Sequence, residues 1–166
     1  MSARRALPWF TLALGVIALD QVTKQWVLAT LVEGHANEVL PFLNLVLVHN
    51  PGAAFSILSD GSGWQRGFFI GVAVIASAWI AYLLFRYPNR TLFSVALALI
   101  LGGALGNVID RVIFGAVIDF IDVHVAGYHW PAFNVADSAI TCGAMLLVID
   151  SFRKRDHPAT SEAPAK

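Results

Sequence analysis

Charge is scarce in this chain. Lys, Arg, Asp and Glu make up 13% of its 166 residues against 57% hydrophobic ones, whereas an ordinary soluble domain is about a quarter charged. A mean hydropathy of +0.67 points the same way, and the balance excludes a water-soluble domain. Basic and acidic residues are equal at 11 each, so bulk electrostatics offers nothing to a nucleic acid or an acidic ligand. Cysteine is nearly absent. The lone Cys142 rules out an intrachain disulfide and, inside an apolar stretch, reads as a small core residue. His49, His124 and His129 are present, but no His-x-x-x-His or His-Glu-x-x-His spacing occurs; that argues against zinc, and no cofactor is called for. Ser56 and Ser138 lack a Gly-x-Ser-x-Gly elbow, and no histidine falls within an apolar run, which argues against serine chemistry. No Pro/Ser-rich linker divides the chain, so residues 1–156 read as one polytopic domain and 157–166 as a disordered tail.

Long apolar runs are what the chain has in abundance. About twenty mainly apolar residues cross about 30 Å of hydrocarbon, and segments 7–30, 67–85, 92–113 and 131–152 qualify. They are expected as helices, because a backbone in lipid must satisfy its own hydrogen bonds. Arg4 and Arg5 precede the first span, Arg86 and Arg90 lie between the second and third, and Arg153, Lys154 and Arg155 follow the fourth; both termini are therefore expected on the cytoplasmic side. Segments 33–64 and 115–130, without Lys or Arg, fall outside. Arg4-Arg5 before an apolar run also suits a cleavable signal peptide, but Asp20 and Lys24 interrupt the run and favour an uncleaved span. Between spans one and two, β-branched and aromatic residues within about 38–58 predict a small surface β element, closed by Asn50-Pro51-Gly52. The apolar stretch 53–58 and the loop 60–63 then lead to span two. Trp64, Tyr128 and Trp130 suit the membrane interface.

Ionisable residues inside spans are costly and mark function by default. At about 1.5 Å per residue, Asp20, Asp110 and Asp137 all reach the outer third of the bilayer, and Asp119 follows span three in Val117-Ile118-Asp119-Phe120, a tetrapeptide able to dip back against the bundle. Asn107 and Asp110 share a helix face, as do Asn134 and Asp137, and Asp20 pairs with Lys24 at i, i+4. Gly102-x-x-x-Gly106 is a close-packing face. Lys24 beside Asp20 and Arg111 beside Asp110 favour plain ionised carboxylates with supporting roles. Asp119 and Asp137 lack a cationic neighbour in sequence. Facing each other in a partly dry site, they would share one proton, one acting as general base on water and the other polarising a scissile carbonyl. Asp122 rivals Asp119 for the loop carboxylate. Polar glue between helices remains the alternative for any single Asp. A small proton-coupled transporter subunit is the alternative for the whole protein, although a cluster at one level is not a path across.

Taken together, Asp20-Gln21-Val22-Thr23-Lys24, Asn50-Pro51-Gly52-Ala53-Ala54-Phe55-Ser56, Gly102-Gly103-Ala104-Leu105-Gly106-Asn107-Val108-Ile109-Asp110-Arg111, Val117-Ile118-Asp119-Phe120 and Phe133-Asn134-Val135-Ala136-Asp137-Ser138-Ala139-Ile140 resemble the lipoprotein signal peptidase family. The resemblance implies a four-helix membrane bundle with a small extracytoplasmic β-cradle and a mobile outer segment. It implies an aspartic endopeptidase of the bacterial cytoplasmic membrane that cuts diacylglyceryl-modified prolipoproteins on the N-terminal side of the lipidated cysteine, near the outer face, and is blocked by globomycin. By the same resemblance Asp119 and Asp137 are the catalytic pair, and Asp20, Lys24, Asn50, Gly52, Asn107, Asp110, Arg111, Asn134 and Ala136 support the site. A monomer suffices for that chemistry.

Overall fold

The apolar runs form helices and the segments joining them at one end form strands. The computed structural model describes residues 3–52 and 64–153; the expected apolar stretch 53–58, the loop 60–63 and the tail 157–166 lie outside the described residues. In chain order come α1 (Ala3–Thr30), β1 (Asn37–Leu40), β2 (Leu43–Asn50), α2 (Trp64–Arg86), α3 (Thr91–Ile113), β3 (Val117–Val125), β4 (Tyr128–His129) and α4 (Val135–Arg153). All four helices are long and apolar enough to cross a membrane, and the protein is a multi-pass membrane protein, mainly helical, with one small antiparallel sheet.

The distribution of side chains is inverted relative to a soluble protein. Leu14, Val22, Trp26, Val72, Ile75, Trp79, Met145 and Val148 are exposed around the helices, while Asp20, Lys24, Asn107, Asp110 and Asn134 are buried between them. Lipid tails solvate the first set, and the second set must satisfy one another. Helix α3 is central and packs against the other three. Small residues permit this: a Cβ on Gly102 would stand 2.7 Å from the carbonyl oxygen of Ala13, and one on Gly103 would stand 2.4 Å from that of Ala136. The Gly102-x-x-x-Gly106 face therefore admits α1, with Gly106 against Asp20, while the adjacent Gly103 admits α4. At the far end from the sheet, Arg90 pairs with Asp150 and the Trp9 indole N–H donates to the Pro88 carbonyl at 3.0 Å.

The sheet order is β1-β2-β3-β4. Asp119, expected in a loop, lies within β3, with Val48 of β2 as its register partner. Val117, Ile118, Asp119 and Phe120 are all buried, because Ile118 and Phe120 pack with Val27 of α1 and Leu47 of β2. Helix α4 starts four residues later than the 131–152 run implies. Trp130 and Phe133 first pair with β3, the Phe133 N–H donating to the Ile121 carbonyl at 3.1 Å.

Candidate active site

Helix α4 begins with a capping box that shapes everything around it. The side-chain oxygen of Asn134 accepts the Asp137 backbone N–H at 2.9 Å, and the Asp137 Oδ2 accepts the Asn134 backbone N–H at 3.3 Å. This reciprocal pair satisfies two of the donors that a helix start leaves open. It also fixes the Asp137 carboxylate at the first turn of α4. Asn134 and Asp137 thus meet across the helix start, rather than as two residues within one helix.

The amide of Asn134 then reaches β3, donating to Asp119 Oδ1 at 2.7 Å. Asn50, at the end of β2, donates to Asp119 Oδ2 at 2.8 Å, and its own Oδ1 accepts the Gly52 N–H at 2.9 Å. Gly52 is required twice over: its φ is +118°, and a Cβ there would stand 2.4 Å from the Phe69 ring. On the Asp137 side, Asn107 of α3 donates to Oδ1 at 2.8 Å. Each carboxylate is therefore held by amides, and Asn134 touches both.

Asp119 and Asp137 line the same cavity, about 540 Å³, together with Asn50, Trp130, Pro131, Phe133, Ser138, Thr141 and Cys142. Cys142 is exposed here, not a core residue; it shares the open face of α4 with Ser138 and Thr141. Burial pushes the Asp119 carboxyl up to about 6, and the nearby Asp137 adds to this, while amide donation from Asn50 and Asn134 and the charge on Lys24 oppose it. A carboxyl raised in this way, next to a second carboxyl in a cavity, has the character of an acid-base pair.

The other polar residues form a buried layer beneath. Lys24 Nζ lies 2.8 Å from Asp20 Oδ2, 2.7 Å from Asp110 Oδ2 and 3.0 Å from Asn107 Oδ1. The cation of Asp110 is thus Lys24, not its chain neighbour Arg111. Arg111 donates to the Asn107 carbonyl at 3.3 Å and places its guanidinium 5.1 Å from the Phe69 ring centre, at the margin of the site. Ala136 is fully buried and donates its N–H to Asp20 Oδ1 at 2.9 Å. Asp122 does not join the pair. Three residues from Asp119 along a strand, it points to the other face, where Asn44 donates to it at 2.9 Å and His129 Nδ1 lies 2.8 Å away. Burial favours its neutral form, but those contacts hold its carboxyl below the usual range.

Gln21 is the member of the layer that the sequence reading left without a role. Its side-chain amide donates to Asp110 Oδ1 at 2.9 Å, to Asp20 Oδ2 at 3.2 Å and to the Gly106 carbonyl at 3.2 Å. Its position between Asp20 and Lys24, one turn of helix, was the available signal. Among the described residues, no group of three His, Cys, Asp or Glu side chains is arranged to hold a metal ion.

The model of the family described as signal peptidase (SPase) II matches residues 12–153. A lipoprotein signal peptidase from Cupriavidus necator is 53% identical over 148 residues, covering 89% of this chain and 85% of that one. Another, from Janthinobacterium sp. (strain Marseille), is 52% identical over 153 residues, covering 92% and 93%. Among solved structures, a bacterial membrane enzyme determined by the in meso method at 2.3 Å resolution superposes with a TM-score of 0.80 at 37% identity, covering 96% of this chain and 94% of that one. A second, at 1.9 Å, gives 0.77 at 38% identity, with 88% and 93% covered.

Proposed function

The chain belongs to the signal peptidase II family, and from that premise we propose that Asp119 and Asp137 are the catalytic pair of an aspartic endopeptidase. The protein is a peptidase that removes signal peptides from prolipoproteins. The observation that carries the aspartic reading is the shared cavity wall: two carboxyls from β3 and α4, joined through one asparagine, with no other carboxyl among the residues lining that cavity.

The chemistry follows from one shared proton. With Asp119 raised by burial and Asp137 beside it, the pair holds a single proton over a range where isolated carboxyls would hold none. The ionised member takes a proton from a water in the cavity, and that oxygen attacks the scissile carbonyl carbon. The protonated member donates a hydrogen bond to the carbonyl oxygen as negative charge develops there. Collapse of the tetrahedral intermediate breaks the C–N bond, and the departing amine takes its proton from the pair. Asn107, Asn134 and Asn50 hold the carboxylates in place through this cycle, while Asp20, Lys24, Asp110 and Ala136 support them from beneath. Gly52 keeps the turn that aims Asn50, and Arg111 steadies the margin against Phe69.

The substrate class follows from the family, and the cavity suits a lipid-tethered precursor. Its wall descends α4 through Ser138, Thr141 and Cys142, the last two exposed, on a helix long and apolar enough to cross a membrane. A diacylglyceryl-modified precursor that keeps its acyl chains in the membrane would bring the bond on the N-terminal side of its lipidated cysteine to the pair. Arg86, Arg90 and Arg153 lie at the opposite end of the bundle, which by charge asymmetry is the cytoplasmic end. The site then opens at the outer face of the bacterial inner membrane, and a monomer contains all of it. The transporter alternative gains no support from the relatives.

The test is cleavage of a diacylated precursor peptide and of its unmodified counterpart by purified protein. Cleavage of the lipidated peptide alone, abolished by Asp119→Asn and by Asp137→Asn in protein that still folds, is the expected result. Normal processing by either variant would overturn the aspartic assignment.

A further inference from the structure

Resting on the reading that Asp119 and Asp137 are the reacting pair, we infer that Lys24 is a positioning residue that sets the spacing of the two carboxylates through two matched buried anchors. The contacts repeat. Ile118, the residue before Asp119, donates its backbone N–H to Asp110 Oδ2 at 3.1 Å. Ala136, the residue before Asp137, donates its own to Asp20 Oδ1 at 2.9 Å. The two acceptors come from different helices, α3 and α1, and one ammonium joins them, at 2.7 Å from Asp110 and 2.8 Å from Asp20.

An ammonium has three donors, and all three of Lys24 are placed. The third goes to Asn107 Oδ1 at 3.0 Å, and Asn107 in turn donates to Asp137 Oδ1 at 2.8 Å. The backbone beside each reacting carboxylate is therefore pinned to a carboxylate, and both pins meet on one cation. Gly106 keeps the centre open, since a Cβ there would stand 2.6 Å from Asp20 Oδ2.

Stability alone is a poor account of this cluster. Lys24, Asp20 and Asp110 are fully buried, and well-packed apolar side chains commonly replace such buried ions without loss. What charged hydrogen bonds add is a single geometry. A displacement of about 1 Å at a reacting group costs about 100-fold in rate, so a device that holds β3 and α4 in mutual register acts on catalysis without touching substrate.

The experiment compares Lys24→Met, the isosteric single variants Asp20→Asn and Asp110→Asn, and the neutral triple variant Asp20→Asn/Lys24→Met/Asp110→Asn. The triple leaves no unpaired buried charge and retains neutral acceptors for both backbone N–H groups. It decides the matter if Lys24→Met fails to accumulate, and the two singles decide it if the triple also fails. Initial rates on the diacylated peptide are expected to show kcat down about 100-fold in Lys24→Met and the triple, about 10-fold in each single, with KM within about threefold of the parent. The bell-shaped pH profile of Lys24→Met should also move to higher pH. The charged groups facing Asp119 are Asp137, Lys24 and Arg111, and loss of one cation favours the protonated pair. A smaller folded fraction lowers kcat but leaves that profile where it was. Parental kcat, a change confined to KM, or an unmoved pH profile would overturn the inference while Asp119→Asn and Asp137→Asn remain inactive. Activity in those two variants would instead defeat the underlying reading.

Discussion

Asn134 donates its side-chain amide to Asp119 Oδ1 at 2.7 Å. With the oxygen of the same amide it caps α4 at the Asp137 N–H, so one side chain both starts the helix and grips the carboxylate opposite. The two roles separate by substitution. Asn134→Ala loses the cap, worth about 1 kcal/mol, and one of the two amides on Asp119. Asn134→Asp keeps a good cap oxygen but sets a third carboxylate against Asp119. Thermal unfolding should rank Asn134→Asp as the more stable of the two, and peptide cleavage should rank it as the less active, both at least about 10-fold below the parent. The same ranking in both measurements would contradict the double role.

Glycines in contact with neighbours should differ sharply from those in open space. A Cβ at Gly103 meets the Ala136 carbonyl oxygen at 2.4 Å, whereas one at Gly71 meets nothing within 4 Å. Gly103→Ala must push α4, and with it Asp137, away from α3, at about 1–3 kcal/mol. Gly71→Ala should be neutral or slightly stabilising, since both are helical positions where Ala is preferred. Melting temperatures and cleavage rates of the two variants check this, with activity lost only at Gly103.

The raised carboxyl of Asp119 carries a stability cost whose sign is fixed. In the folded protein it binds a proton up to about 6, while in the unfolded chain it releases it near 3.8. Between those values the native state holds more proton than the unfolded one, so this group's contribution falls as pH rises through the window, by about 3 kcal/mol in total. The melting temperature of the parent relative to Asp119→Asn should therefore rise as pH is lowered from 7 to 4. On the activity side, kcat/KM should decline once pH exceeds the loss of the shared proton, near 6 in the free protein.

Asp122 should behave in the opposite way and outside catalysis. Asn44 and His129 hold its carboxyl below the ordinary range, so its contribution is present above the unfolded value and is lost as pH falls below it. Asp122→Asn should leave kcat within about threefold of the parent and loosen the β3–β4 hairpin, seen as faster amide exchange at Val125 and Tyr128. Loss of cleavage in this variant would return Asp122 to the site.

Much of the design is readable along the chain because hydropathy, charge bias and helix-face spacing are local properties. They mark the four spans, the Asp20–Lys24 pair and the concentration of polar groups toward one end. The role of Gln21 is not legible along the chain because its partners, Asp110 and the Gly106 carbonyl, sit on another helix. Asp119 and Asp122 looked interchangeable because their separation of three residues has no meaning until the segment is known to be a strand. Once β3 pairs with β2, alternation sends them to opposite faces.

By itself, the sequence determined that the chain enters a membrane, where its costly polar residues gather, and which family it resembles, since composition and motif order survive without coordinates. Only the tertiary structure decided the partners: that Lys24 binds Asp110 as well as Asp20, that Arg111 comes within electrostatic reach of Asp137 and Asp119, and that Asn134 joins the two carboxylates. Hydrogen bonds and ion pairs act over about 3 Å, and contacts at that range between residues as distant along the chain as Lys24 and Asp110 exist only after glycine-lined helices have closed on one another.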